Sequence, residues 1–295
     1  MNLKEIVRNE YGISSIEEIN KIESGISSNA KRIVTADGNY ILRKVKSVEQ
    51  AITEYKISQE LRHDNLSSII ILNQDNAPYI KLNNEVYNLQ TEIPNLLEKD
   101  NINFFELGKT IAIFHSRVQK IEGLFSQEDR FPLERMWDQV KLNPNFDATE
   151  YSGKLTKLVE QCLRYNHKDN CYIHGDLGKW NLLFDKSNIY IIDFGEVRRG
   201  NNHFDISAVL SSTINWSLGD EQLFLQVRQF KKGYVSNFQQ WNNAILRESF
   251  HLWFTRGMVA LLAQQGINER TNHAIHFMMK KCTRIETVFK HLSAN

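Results

Sequence analysis

Apolar and polar positions along the chain change rhythm about a third of the way in. Residues 2–10 place Leu3, Ile6 and Val7 on one face, the spacing of a short amphipathic helix. Strand-like runs follow at 17–22, 31–36 and 40–46. Asp37-Gly38 joins the last two and predicts a two-residue type I′ hairpin turn, which needs positive φ at both positions. The 3.6-residue period returns over 48–62, with Ile52, Tyr55 and Leu61 forming much of the expected buried stripe. Further strands are predicted at 68–72, 79–82 and 86–93, separated by the turn-rich QDNAP and NN segments. Residues 1–93 thus read as a small sheet of about five strands carrying a helix.

The segment 94–101, PNLLEKDN, reads as a connection. Beyond it the helical period dominates, at 104–121, 150–165, 204–218, 221–235, 240–265 and 272–291. The exception is a short strand pair, 182–184 with 189–192. The pattern predicts an α+β chain with two parts: a small sheet over 1–93 and a larger, mainly helical part over 94–295. No internal repeat interrupts it.

Composition narrows the class. The chain has 295 residues, 41% hydrophobic and 24% charged, with 36 basic against 35 acidic side chains. Those are ordinary globular values that bury a sizeable core. A net charge of +1 gives no footing for nucleic acid as partner. The charge is also unevenly shared: through Ile93 there are 11 basic and 13 acidic residues, and beyond it 25 and 22. The larger part is therefore no acidic trap. Cys162, Cys171 and Cys282 lack paired spacing, which points to a reducing compartment. With a charged N-terminus unlike a signal peptide and no apolar run of the ~18 residues a membrane helix needs, the expected location is cytoplasmic, without a membrane partner. Oligomeric state leaves no trace in the sequence.

The chemistry is concentrated in 171–196, CYIHGDLGKWNLLFDKSNIYIIDFGE. It holds His174-x-Asp176, then Asn181, then a strand hairpin, then Asp193-Phe194-Gly195. Phosphoryl transfer asks little covalent chemistry of a protein. It needs a carboxylate for the hydroxyl proton and ligands that hold Mg²⁺ on nucleotide phosphates. A loop leading into a strand places Asp176 at the substrate and Asn181 at the metal, and the second strand delivers Asp193 to that metal. Carboxylate and amide oxygens suit Mg²⁺. Cys171-x-x-His174 is no zinc site, because a lone pair leaves zinc short of ligands.

HGDLGKWN followed by IIDFGE resembles the aminoglycoside phosphotransferase and choline kinase family, small-molecule relatives of the protein kinases. The resemblance implies a bilobal protein-kinase-like fold, with an antiparallel-sheet N-lobe over 1–93 and a helical C-lobe over 94–295. It implies ATP or GTP as phosphoryl donor, Mg²⁺ as cofactor, and a small-molecule hydroxyl as acceptor. In such kinases a basic residue on the third strand meets the phosphates and pairs with a helix glutamate. Arg43 and Lys44 are the two candidates, and strand alternation lets only one face the nucleotide. Glu54 fits the family's helix pattern better than Glu60. Ser27, in the one-glycine loop ESGISS, and the hinge-like strand end with Glu92 and Ile93 are further nucleotide contacts by resemblance. Asp205 resembles the aspartate that braces the catalytic loop, and His174 a scaffold residue.

The short passage from Asp193 to Asp205 leaves no room for a long activation loop, and Gly178 stands where protein kinases carry lysine. The acceptor pocket is expected among C-lobe helices, with Trp216, Trp241, Phe250, Trp253 and Phe254 as aromatic candidates and Asp220, Glu248 and Arg256 as polar ones. The reading is a small-molecule phosphotransferase acting on an antibiotic, an amino alcohol or a sugar. The alternative is a non-catalytic kinase-like binding or structural protein, such as the family's spore-coat relatives.

Overall fold

The computed structural model describes residues 3–22, 30–93, 102–185 and 188–293. In chain order it runs α1 (Leu3–Tyr11), β1 (Ile16–Lys21), β2 (Ala30–Thr35), β3 (Gly38–Val45), α2 (Val48–Arg62), β4 (Ile70–Ile71), β5 (Ile80–Leu82) and β6 (Glu85–Thr91). There follow α3 (Phe104–Val118), α4 (Leu133–Lys141), α5 (Ser152–Leu163), β7 (Cys171–Ile173), β8 (Leu182–Asp185), β9 (Asn188–Ile191) and β10 (Arg198–Gly200). Helices α6 (Asn202–Thr213), α7 (Asp220–Val235), α8 (Asn243–Gln265) and α9 (Glu269–Ser293) complete it. This is the antiparallel sheet followed by helices that the pattern predicts. No helix among the described residues is long and apolar enough to cross a membrane.

The chain divides into two units. The first holds 1–102 with the later segments 116–127 and 180–197; the second holds 103–115, 128–179 and 198–295. The chain first crosses between them after Ile102, and it crosses again after 115, 127, 179 and 197.

In the first unit, β1, β2, β3, β6 and β4 lie side by side in that order, and β5 also pairs with β6. Val7 of α1, Ile33, Leu42 and Leu89 form a buried cluster that seats α1 on the sheet. Ser47 caps α2, its side chain accepting from the Gln50 amide, which supplies one of the helix's unpaired N-terminal groups. The buried stripe of α2 differs from the expected one. Ile52 is 39% exposed, while Gln50, Glu54 and Ser58 are buried beside Ala51, Ile57 and Leu61. The inward face of this helix is half polar because Glu54 and Gln50 serve Arg43 and Ser58 bonds the backbone of Ser68 and Ile70.

The turn at Asp37-Gly38 also differs. Thr35 pairs with Gly38, so the two loop residues are Ala36 and Asp37, and of this trio only Gly38 has positive φ, at 144°. The left-handed pair that a type I′ turn requires is found instead at Asn83 and Asn84, φ 50° and 64°, between β5 and β6.

The second unit is built on helices. Asn201 and Asn242 cap α6 and α8 with their side-chain oxygens. Helices α3 and α7 touch at two glycines. A Cβ on Gly108 would lie 2.1 Å from the Phe230 carbonyl oxygen, and one on Gly233 would lie 1.9 Å from that of Phe105. Two elements go beyond what the sequence pattern predicts: α4, which buries Leu133, Met136, Trp137 and Val140, and the two-stranded sheet of β7 with β10.

Candidate active site

In the first unit the centre is Arg43. On β3 it lies directly across from Asn88 of β6. One guanidinium nitrogen bonds Glu54 Oε2, and the other lies 2.5 Å from Asp193 Oδ1. Glu54 is itself held: Gln50 donates to Oε1 at 2.7 Å and Asn88 to Oε2 at 2.8 Å. Burial works against the Arg43 charge, but Glu54 and Asp193 outweigh it and hold its pKa above the ordinary arginine value. Arg43 Nε is buried without a partner among the described residues, a donor whose hydrogen bond those residues leave unmade.

Lys44, the other candidate, is on the opposite face of β3. It pairs with Glu85, whose second oxygen takes the Tyr87 hydroxyl at 2.5 Å. The alternation of a strand separates the two neighbours, so Arg43 joins Glu54 and Asp193 and Lys44 does not.

The β8–β9 hairpin brings Asn181 and Asp193 to one end. Leu182 pairs with Ile191, and the Ile192 amide donates to the Asn181 carbonyl at 3.1 Å. Asp193 has φ 65° and ψ 66°, a left-handed conformation costly for a non-glycine residue. It turns the chain at the point where the carboxylate meets Arg43. Gly195 is close behind: a Cβ there would lie 2.6 Å from Gln50 Nε2 and 3.3 Å from Asp193 Oδ1.

At the strand end, Glu92 clamps Arg32 through both carboxylate oxygens at 2.9 Å, and its amide donates to the Asn39 carbonyl at 2.9 Å. The Glu92 N–H is therefore engaged within the sheet. Ile93 is half-buried beside it. Ser27 and its loop lie outside the described residues, as does the connection 94–101.

In the second unit, β7 feeds the loop that bears Asp176, and β10 lies alongside it, with Arg198 opposite Ile173. The amides of His174 and Gly175 donate to the two oxygens of Asp205 at 2.6 and 3.0 Å. Gly175 has φ 82°, which glycine adopts without strain. His174 is fully buried, and its Nδ1 faces the Asp176 amide at 3.4 Å. Burial alone would raise the Asp205 carboxyl, but the hydrogen bond from His115, with the amide of His174, holds it below the usual carboxylate range.

Of the polar acceptor-pocket candidates, Arg256 feels the charge of Asp176. Its Nε donates to the Phe131 carbonyl at 2.9 Å, and Asp129 takes both it and, at 3.6 Å, Arg198. Asp220 instead anchors Arg284, and Glu248 faces His167 at 2.7 Å. Phe250 and Phe254 are buried core residues. Sequence reasoning does not single out Asp129, Gln50, Asn88 or His115: each belongs to its cluster through contacts distant in sequence, and no spacing marks them.

These features coincide with known proteins. Residues 18–242 match the phosphotransferase enzyme family. Among solved structures, an amicoumacin kinase in complex with AMP-PNP, Ca²⁺ and Ami superposes with a TM-score of 0.73 at 13% identity, covering 98% of this chain and 95% of the other. A microcompartment-associated aminopropanol kinase gives 0.69 at 19% identity, with 98% and 96% covered. A spectinomycin phosphotransferase in complex with ADP and spectinomycin gives 0.66 at 15%, with 97% and 96% covered. No curated protein matches the chain by sequence. The chain belongs to the phosphotransferase enzyme family, with the kinase-like fold of its aminoglycoside phosphotransferase and choline kinase-like members. It is a small-molecule kinase.

Proposed function

We propose that the chain transfers the γ-phosphoryl group of ATP or GTP to a hydroxyl of an antibiotic or of an amino alcohol or sugar metabolite. The observation that carries this reading is the cluster of Arg43, Glu54 and Asp193, with Asn181 at the same hairpin end. It gathers a phosphate-binding cation, the carboxylate that orients it and two hard oxygen donors within one unit.

Arg43 binds the nucleotide phosphates, and its unpartnered Nε is the donor such an oxygen would take. The Glu92 carbonyl and Ile93 amide remain for the base, with Ser27 as a further phosphate contact. Asn181 and Asp193 would hold Mg²⁺; one is an amide and the other a carboxylate, and the ion when bound neutralises phosphate charge. Asp176 takes the proton of the acceptor hydroxyl as its oxygen bonds to the γ-phosphorus. The bond from that phosphorus to the bridging oxygen breaks, giving a phosphomonoester and a nucleoside diphosphate. Arg256 and Arg198 around a single Asp129 weigh against a polycationic acceptor. The structural neighbours that act on amicoumacin, spectinomycin and aminopropanol define the range to test. Three free, buried cysteines fit a reducing, cytoplasmic setting.

The test is nucleoside diphosphate release with Mg²⁺ and ATP or GTP across antibiotics, amino alcohols and sugars, beside Asp176→Ala. One acceptor should stimulate turnover, and the substitution should remove it by at least about a hundredfold. Folded protein that binds no nucleotide would overturn the reading.

A further inference from the structure

Four buried side chains that the proposed reaction does not use form a line through the second unit. Asn202, Tyr234, His115 and Asp205 are each 0% exposed. Asn202 Nδ2 lies 2.9 Å from the Tyr234 hydroxyl, which lies 2.8 Å from His115 Nδ1; His115 Nε2 lies 3.1 Å from Asp205 Oδ2. In such an interior an unmade hydrogen bond leaves a buried polar group with its desolvation uncompensated, so donors and acceptors must alternate along the line.

The direction is fixed from both ends by main-chain groups. At one end, the Asn202 atom facing Tyr234 is also 2.7 Å from the Gln240 carbonyl, which can only accept. That atom is therefore the amide nitrogen, and it donates to the Tyr234 oxygen. The other amide atom, the oxygen, takes Asn170 Nδ2 at 2.7 Å. Tyr234, having accepted from Asn202, has its own hydrogen to place, and His115 Nδ1 receives it. An imidazole that accepts at Nδ1 carries its hydrogen on Nε2 and donates it to Asp205. At the far end the amides of His174 and Gly175, which can only donate, close on the same carboxylate. An imidazolium would aim a second N–H at the Tyr234 oxygen and leave the phenol hydrogen without an acceptor. Only one arrangement satisfies every group.

The geometry points to His115 as a positioning residue: a neutral, Nε2–H imidazole locked by Tyr234, it fixes the carboxylate of Asp205 and through it the loop that bears Asp176. This rests on the reading of Asp176 as the group that takes the acceptor's proton. A carboxylate rotates easily about its last torsion, and His115 shares Oδ2 with the His174 amide. Releasing that oxygen lets the carboxylate turn, and Asp176 is the residue immediately after Gly175. Displacements of about 1 Å at a reacting group cost up to a hundredfold in rate.

Tyr234→Phe keeps the ring and removes only the hydrogen that locks His115. ¹⁵N spectra of the imidazoles in the full chain at neutral pH should show His115 with a bare Nδ1 and a protonated Nε2, and the variant should lose that preference. Amide hydrogen exchange at His174 and Gly175 should quicken about tenfold in the variant while α9 keeps its rates. With an acceptor in hand, kcat should fall about tenfold and KM for nucleotide change less than about twofold. His115→Gln, whose amide nitrogen can still reach Asp205, should keep much of the protection at 174 and 175, whereas His115→Ala should lose it; these two also serve if Tyr234→Phe does not fold. A doubly protonated or Nδ1–H imidazole in the parent protein would overturn the inference. So would unchanged exchange at both amides, whatever happens to Tm. The spectra and the exchange need no turnover. A protein that transfers no phosphate would therefore remove the role of Asp176 and leave the hydrogen-bonded line to be judged on its own.

Discussion

Adjacent basic residues on β3 go to different partners because a strand turns successive side chains to opposite faces. Arg43 reaches Glu54 and Asp193, while Lys44 reaches Glu85. Arg43 bonds two carboxylates through separate nitrogens, which a lysine's single ammonium cannot reproduce from the same place. Arg43→Lys should therefore lower kcat/KM for nucleotide by about a hundredfold, and Lys44→Ala should leave it within about twofold; steady-state kinetics on the two variants checks both. Equal losses would contradict the assignment of the phosphate contact to Arg43. At this scale the sequence is legible where spacing is local. Asn181 and Asp193 are readable because a short hairpin fixes their separation. Asn88 is not, because only the pairing of β3 with β6 brings it to Glu54. The choice between Arg43 and Lys44 likewise needs the register of the sheet and the position of α2.

Elements are legible where their pattern is long or where turn residues and caps bound it. Helix α2 begins and ends where the sequence places it, since Ser47 caps it and the periodic run ends at Arg62. Its inward face departs from the expected stripe, because Gln50 and Glu54 serve Arg43 and the Ser58 hydroxyl bonds the backbone of Ser68 and Ile70, rather than following hydrophobic periodicity. Strands β7 and β10 are three residues each, too short for alternation to register. Helix α4 has the right spacing, but only nine residues. The crossing of α3 and α7 leaves no sequence signal beyond two ordinary glycines. Each backbone carbonyl there occupies the space a methyl group would need, so Gly108→Ala or Gly233→Ala must push the helices apart. Overpacking of this kind costs about 1–3 kcal/mol or more, a loss of about 2–6 °C or more in Tm. Gly153, in the first turn of α5, is different: a Cβ there would meet nothing within 4 Å, so Gly153→Ala should hold Tm or raise it slightly. Thermal denaturation of the three variants separates a true close approach from an indifferent glycine. It also probes the buried line of polar side chains, since Tyr234 follows Gly233 directly.

On the scale of the whole molecule, the same buried polar groups set the response to acid. Burial lowers the His203 pKa from 6.5 to about 4. Its ring is already committed: Nδ1 faces Asn201 Oδ1 at 2.8 Å, and Nε2 accepts the Asn242 amide at 2.8 Å, so a proton on Nε2 would break the second bond. Burial also lowers His251, against the opposing pull of Glu286. For a histidine held neutral, the unfolded chain binds the extra proton first. Its stabilising contribution is therefore complete above the unfolded pKa of about 6.5 and disappears as pH falls toward about 4. For His203 this amounts to something on the order of 3 kcal/mol. Asp205 and Asp129 sit lower still. Burial raises each, but His115 in one case and Arg256 with Arg198 in the other hold them below the ordinary carboxylate value. Their contributions are present above about pH 4 and fall away only below it. Acid should thus weaken the protein in two windows, first through His203 with His251 and then through the carboxylates. Denaturant unfolding between pH 7 and 3 should show a stability decline beginning below about pH 6.5. His203→Gln, which keeps an acceptor for the Asn242 amide but cannot take up the proton, should flatten that first window while leaving the second. A decline that starts only below pH 4 in the parent protein, or one that His203→Gln leaves unchanged, would show that the buried imidazole is not what links folding to pH.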